Sequence, residues 1–210
     1  MRKQKRDPQK TKKKLLDTAE RVFVKKGYTG ARVDEIANEA DVNKRMIYVW
    51  FGNKEALYLE VLKTAFMRLF KSSKPELAPG DDPVTNTEAM VRWYFGFLSR
   101  NPSFVRLLAW ETLNDGHRAG KVLVDLMEEG LGPLHSIIKD GKARGLFRQD
   151  LAAHKIVTMI NEMCLGYFNR LRLLEVLWDQ DLNHLEKQEE MLNHILQILF
   201  AGIRNRQENA

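Results

Sequence analysis

The chain has 210 residues, 44% of them hydrophobic and 30% charged, with a formal net charge of +6 and one cysteine. That length can bury the core of one domain or of two modest ones. Lone Cys164 excludes an intrachain disulfide and fits a reducing cytoplasm, and no apolar run approaches the roughly 18–20 residues needed to span a bilayer, which argues against a membrane partner. The excess charge is local. Residues 1–62 carry 15 Lys+Arg against 9 Asp+Glu, whereas residues 63–210 carry 19 against 19. A basic N-terminal part joined to a neutral body suits a polyanion at one end, although basic tails are often only solubilising.

Residues 1–9 read as a basic flexible arm with no apolar stretch of the kind a secretory signal carries. Arg2, Lys3, Lys5, Arg6 and Lys10 suit either a strand that follows phosphates or enters a minor groove, or a solvated tail. Leu15, Leu16, Ala19, Val22 and Phe23 then form one apolar stripe, the mark of a first helix. Lys25 and Lys26 suit its negative end, Gly27 suits a left-handed cap beyond it, and Tyr28 is expected to fold back under the small domain. Helices follow over about 33–40, 44–50 and from Lys54 to about Lys71. Residues 72–83, with three of the six prolines, form the clearest loop. Further helices are predicted over about 84–100, 103–114, 119–143, 151–178 and 184–205, punctuated by Asn101-Pro102, Asn114-Asp115-Gly116 and Gly145. No β-alternation of useful length and no internal repeat interrupts this pattern, so the fold class is all-α.

The most informative run is Val42 to Leu57. Asn43 is a good N-cap for a short helix. Ile47 and Phe51, four apart, should bury with Ile36, Ala37 and Phe23. With that face inward, Lys44, Arg45 and Tyr48 point outward from the N-terminal half, where a recognition helix meets base edges. Lysine and arginine can donate to guanine O6 and N7, and Tyr48 can stack or donate to a phosphate. Lys54, beginning the next helix, suits a phosphate clamp. The bland alternative is a solvated charged face.

The stretch from about Leu15 to Leu62 resembles the N-terminal domain of the TetR/AcrR family of one-component transcriptional regulators. The matching residues are Gly27-Tyr28, Val33-Asp34-Glu35-Ile36-Ala37, Val42-Asn43-Lys44 and Ile47 through Leu57. The resemblance implies a three-helix helix-turn-helix DNA-binding domain over residues 10–56 and a larger C-terminal helical domain over 57–210 for ligand binding and dimerisation. It also implies a homodimer on a palindromic operator in double-stranded DNA, acting most often as a repressor and released by a small, largely apolar effector, with no cofactor. Carried over by position, Lys44, Arg45 and Tyr48 fall where the family reads bases, and Tyr48, Val49 and Lys54 where it touches the backbone. Two departures matter. Ala31 and Arg32 occupy places where the family commonly has Ser or Thr, so that Arg32, assisted by Thr29, would supply the phosphate contact. Val49 stands where His or an aromatic is common and cannot donate a hydrogen bond.

Two long apolar segments close the chain. The second is apolar on more than one face from Met191 onward and so calls for partners on two sides. The residues assigned to a dimer interface are Ile160, Phe168, Leu171, Leu192, Ile195, Leu196, Leu199 and Ile203; an internal core helix is the alternative. Phe66, Phe70, Trp93, Phe97, Trp110, Met127, Met163 and Tyr167 suit the lining of an apolar ligand pocket, yet are equally ordinary core formers. Glu111 would orient a polar group of the ligand, or else join a surface ion pair with a neighbouring arginine.

An enzyme reading lacks its constellation: the five histidines show no metal-binding spacing, and nucleophile-elbow, phosphate-loop and paired-cysteine motifs are missing. No catalytic or metal-ligating residue is assigned. The rivals to a regulator are a sequence-indifferent DNA-coating protein and an all-helical enzyme using the body pocket.

Overall fold

The computed structural model describes residues 7–76, 80–114 and 119–205. Arg2, Lys3, Lys5 and Arg6 of the expected arm lie outside them. Among the described residues there are nine helices: α1 (Pro8–Gly30), α2 (Val33–Ala40), α3 (Lys44–Phe51), α4 (Lys54–Lys71), α5 (Pro83–Arg100), α6 (Pro102–Leu113), α7 (Gly120–Ala143), α8 (Ala153–Trp178) and α9 (Leu185–Ile203). Their only β-like feature is an isolated bridge between Phe147 and Arg204. None of these helices is long and apolar enough to cross a membrane.

The chain divides into two compact units, Met1–Arg68 with Arg106–Leu126, and Leu69–Val105 with Met127–Ala210. The first therefore includes most of α4, the end of α6 and the start of α7 as well as α1–α3. Helix α1 starts inside the expected arm, because Pro8 is preset for a first turn and the Asp7 carboxylate accepts from the Gln9 N–H at 2.9 Å. Its stripe of Leu15, Ala19, Val22 and Phe23 is buried. Gly27 breaks the helix with φ +66°, and residues up to Gly30 add one more turn. A Cβ at Gly27 would lie 2.8 Å from the Trp110 ring, so glycine is required for space as well as for conformation. The Trp110 Nε1–H donates to the Val24 carbonyl at 3.1 Å. Tyr28 does fold back, its ring 5.3 Å from that of Tyr58 and 6.4 Å from that of Phe23.

The second unit packs α5, α8 and α9 on one another. Phe95, Tyr167 and Phe168 form an aromatic cluster with centroids 4.7–5.7 Å apart. Buried polar groups are paired. Tyr94 donates to Asn161 Oδ1 at 2.8 Å, Ser99 to Gln188 Oε1 at 2.5 Å, and Tyr167 to the Leu182 carbonyl at 3.1 Å. Arg92 ties α5 to α9 through Glu189 at 2.9 Å and Asn193 at 2.8 Å. Burial pushes the Cys164 thiol up to about 12, consistent with its place as a small core residue.

Ile160, Leu192, Ile195, Leu196, Leu199 and Ile203, expected at a subunit interface, are buried in the chain's own core, while Phe168 and Leu171 are half-buried. These six are spent on α5, α8 and α9 of one copy. Apolar residues of α8 and α9 left outside include Met159 and Ile198, Leu185 at the start of α9, and, around the end of α8, Leu173, Val176, Leu177 and Trp178 at 62–81% exposure. On α8 the outward row runs Met159, Met163, Gly166 (beneath the Arg170 side chain), Arg170, Leu173, Leu177, alternating steps of four and three. That is the spacing of a helix–helix seam.

Candidate nucleic-acid interface

Helices α2 and α3 form a helix-turn-helix within the first unit. Ile36, Ala37, Ala40 and Ile47 are buried at its heart. The turn is closed by Asp41 in the left-handed region, with the Val42 N–H donating to the Ala37 carbonyl at 3.0 Å. Asn43 Oδ1 accepts from the Arg45 N–H at 2.8 Å, so its side-chain oxygen caps the start of α3. Asn53 does the same for α4, accepting from the Ala56 N–H at 2.7 Å. Gly52, at φ +84°, makes the reversal between them.

With Ile47 inward, Lys44, Arg45, Tyr48 and Val49 occupy one exposed face of α3; Tyr48 is 45% and Val49 64% exposed. Phe51 is half-buried and has the Lys12 ammonium 5.2 Å above its ring. Thr29 and Arg32 are exposed beside the start of α2, and Arg32 gives α2 no side-chain cap. Lys54 sits 4.4 Å over the Tyr28 ring at the first position of α4. The Arg45 guanidinium has no hydrogen bond or ion pair with any described residue. The Lys44 ammonium instead meets Asp34 Oδ1 of α2 at 2.8 Å, which holds its pKa above the usual lysine value. A second carboxylate of α2, Glu35, holds Lys26 at 2.5 Å. Neither pairing is visible in the sequence, since each partner lies on a different helix.

The residues expected to line a ligand pocket are distributed. Phe66, Trp110 and Glu111 belong to the first unit, and Phe70, Trp93, Phe97, Met127, Met163 and Tyr167 to the second. Phe66, Phe97 and Tyr167 are buried, and the other aromatic and methionine members half-buried. Glu111 is in no surface ion pair among the described residues. It is 1% exposed and accepts from the Tyr58 hydroxyl at 2.5 Å and the Ala119 N–H at 3.1 Å, tying α4, α6 and the approach to α7 together within the first unit. A separate apolar depression of about 270 Å³ lies between α8 and α9, lined by Ile156, Met159, Met163, Ile198, Gly202 and their neighbours.

Residues 15–61 match the family model for bacterial regulatory proteins of the tetR family, and residues 83–199 that for the tetracyclin repressor-like C-terminal domain. The chain belongs to the TetR family. TetR-family proteins are DNA-binding regulators of transcription rather than enzymes, and this chain is one of them. It is 32% identical over 197 residues to the HTH-type transcriptional repressor NicS of Pseudomonas putida, covering 93% of each chain. It is 29% identical over 163 residues to another HTH-type transcriptional repressor, from Streptomyces coelicolor, covering 75% of this chain and 78% of the relative. The TetR-family regulator PfmR from Thermus thermophilus shares the fold, with a TM-score of 0.69 at 19% identity, over 92% of this chain and 97% of that one. The all-α class read from the residues, and the TetR architecture implied by the resemblance, agree with both the helices and the relatives.

Proposed function

We propose that the chain is a cytoplasmic repressor that binds a palindromic operator as a homodimer and leaves it when a small, largely apolar effector binds the body. The observation that carries the reading is the outward face of α3, where Lys44, Arg45 and Tyr48 stand together on a helix capped by Asn43 and seated on α2. Arg45, without a side-chain partner among the described residues, reads a guanine through O6 and N7. Tyr48, Lys54, Arg32 and Thr29 hold phosphates and fix the register, and the methyls of Val49 face the sugar-phosphate edge.

A two-fold pair sets two such helices about 34–36 Å apart, one turn of B-DNA. The outward rows of α8 and α9, Met159 to Leu177 and around Ile198, replace the inward residues as the proposed seam between copies; the apolar depression beside them supports this. Phe70, Trp93, Met127 and their aromatic neighbours in the second unit supply the effector's lining. An effector that favours a dimer with different head spacing costs operator contacts and shifts the population off DNA.

The test is a palindrome recovered by selection from random duplexes, titrated by fluorescence anisotropy. Arg45→Ala is expected to weaken the palindrome by about 1–3 kcal/mol per head while leaving random duplex within a few-fold. Equal loss on both duplexes would remove Arg45 from base reading.

A further inference from the structure

The Lys44–Asp34 pair bears on how the chain tells one duplex from another, an inference that rests on the reading that α3 enters the major groove. Asp34 lies in the first turn of α2, and Lys44 is the first residue of α3. Their side chains are 67% and 46% exposed and meet at 2.8 Å on the outward side of the helix-turn-helix. Arg45, next in sequence, has no such partner among the described residues.

A cation contributes to sequence-independent binding by replacing counterions on a phosphate. Lys44 already has an anion of its own. Moving it from Asp34 to a phosphate exchanges one ion pair for another and leaves Asp34 exposed to the negative duplex. A base edge makes a different demand. The ammonium has three N–H donors; one held by Asp34 leaves two for guanine O6 and N7, and the carboxylate fixes where they point. We propose that Asp34 is a specificity-determining residue that withholds Lys44 from phosphates and aims it at a base.

The experiment uses the full chain, with affinities for the selected palindrome and for a random duplex of equal length between 50 and 200 mM salt. Asp34→Asn frees Lys44. It is expected to tighten random-duplex binding about 3- to 10-fold, to steepen the log–log salt slope there by about 0.9 per chain, and to narrow the palindrome-to-random ratio by a similar factor. Asp34→Glu keeps a carboxylate and is expected to retain most of the wild-type ratio. Lys44→Ala is expected to weaken the palindrome while leaving the random-duplex slope unchanged. Glu39→Gln, at an exposed carboxylate of the same helix with no partner among the described residues, controls for generic loss of negative charge. The proposal is overturned if Asp34→Asn changes nothing, or if Glu39→Gln reproduces its effect. If Lys44→Ala and Arg45→Ala both leave the palindrome-to-random ratio intact, the groove reading itself fails, and this proposal with it. Because Asp34 is exposed, its replacements leave the core untouched, and thermal melts verify folding.

Discussion

Glu111 and Tyr58 illustrate how far a single side chain's meaning depends on its surroundings. In the sequence, Glu111 interrupts an apolar helix and invites a functional role; in the fold its carboxylate is consumed by a phenol and a backbone N–H. Burial, then the bond to Glu111, raises the Tyr58 pKa well above the ordinary phenol value. Burial likewise raises Tyr94 and pushes the Cys164 thiol up to about 12. All three hold their protons more tightly folded than unfolded. Their contribution is therefore fully present below the unfolded values, about 8.5 for a thiol and about 10 for a phenol, and is lost as pH rises past them. Thermal melts are expected to be flat from about pH 7 to 8 and to fall steeply above about pH 9. In Cys164→Ala the early part of that fall should shrink; an unchanged profile would mean that the thiol ionises freely in the native state.

Elements are legible where local chemistry decides them. Asn43 as a cap and apolar spacing place nearly every helix, because these signals act within a few residues; Pro8 and Pro83, read as arm and loop, in fact open α1 and α5 behind the caps Asp7 and Asp82. Gly27 reads from its neighbours as a left-handed cap, but not as the seat of the Trp110 ring, which arrives from a segment far along the sequence. The same limit explains the α2–α3 ion pair. On α9, the apolar residues are plain in the sequence but their phase is not. From Met191 onward apolar positions cover most of the circumference, so composition alone does not say which side meets the body. Burial gives the answer, with Leu196 at 5% exposure and Ile198 at 55%. Leu196→Ala is expected to cost about 2–5 kcal/mol in chemical denaturation, whereas Ile198→Ala should cost far less in the isolated chain. Equal losses would place both in the core.

At the level of the whole molecule, the formal charge of +6 is concentrated in residues 1–62, with the remainder neutral. The proposed dimer would bring two basic ends to one duplex. If each head engages several phosphates, operator affinity should fall by about 10³–10⁵ between 50 and 200 mM salt. A double replacement, Met159→Glu with Ile198→Glu, is expected to give a folded monomer by light scattering, with a markedly shallower salt slope and little preference for a palindrome. A variant that stays dimeric would move the subunit contact elsewhere on the chain.

The end of α8 leaves Leu173, Val176, Leu177 and Trp178 largely open to water. Such a patch is adhesive. If copies pair over this patch as proposed, an unpaired copy is the form most prone to clumping. On that proposal, abundance and solubility are linked: the fraction of copies with the patch open to water falls as concentration rises and pairing covers it.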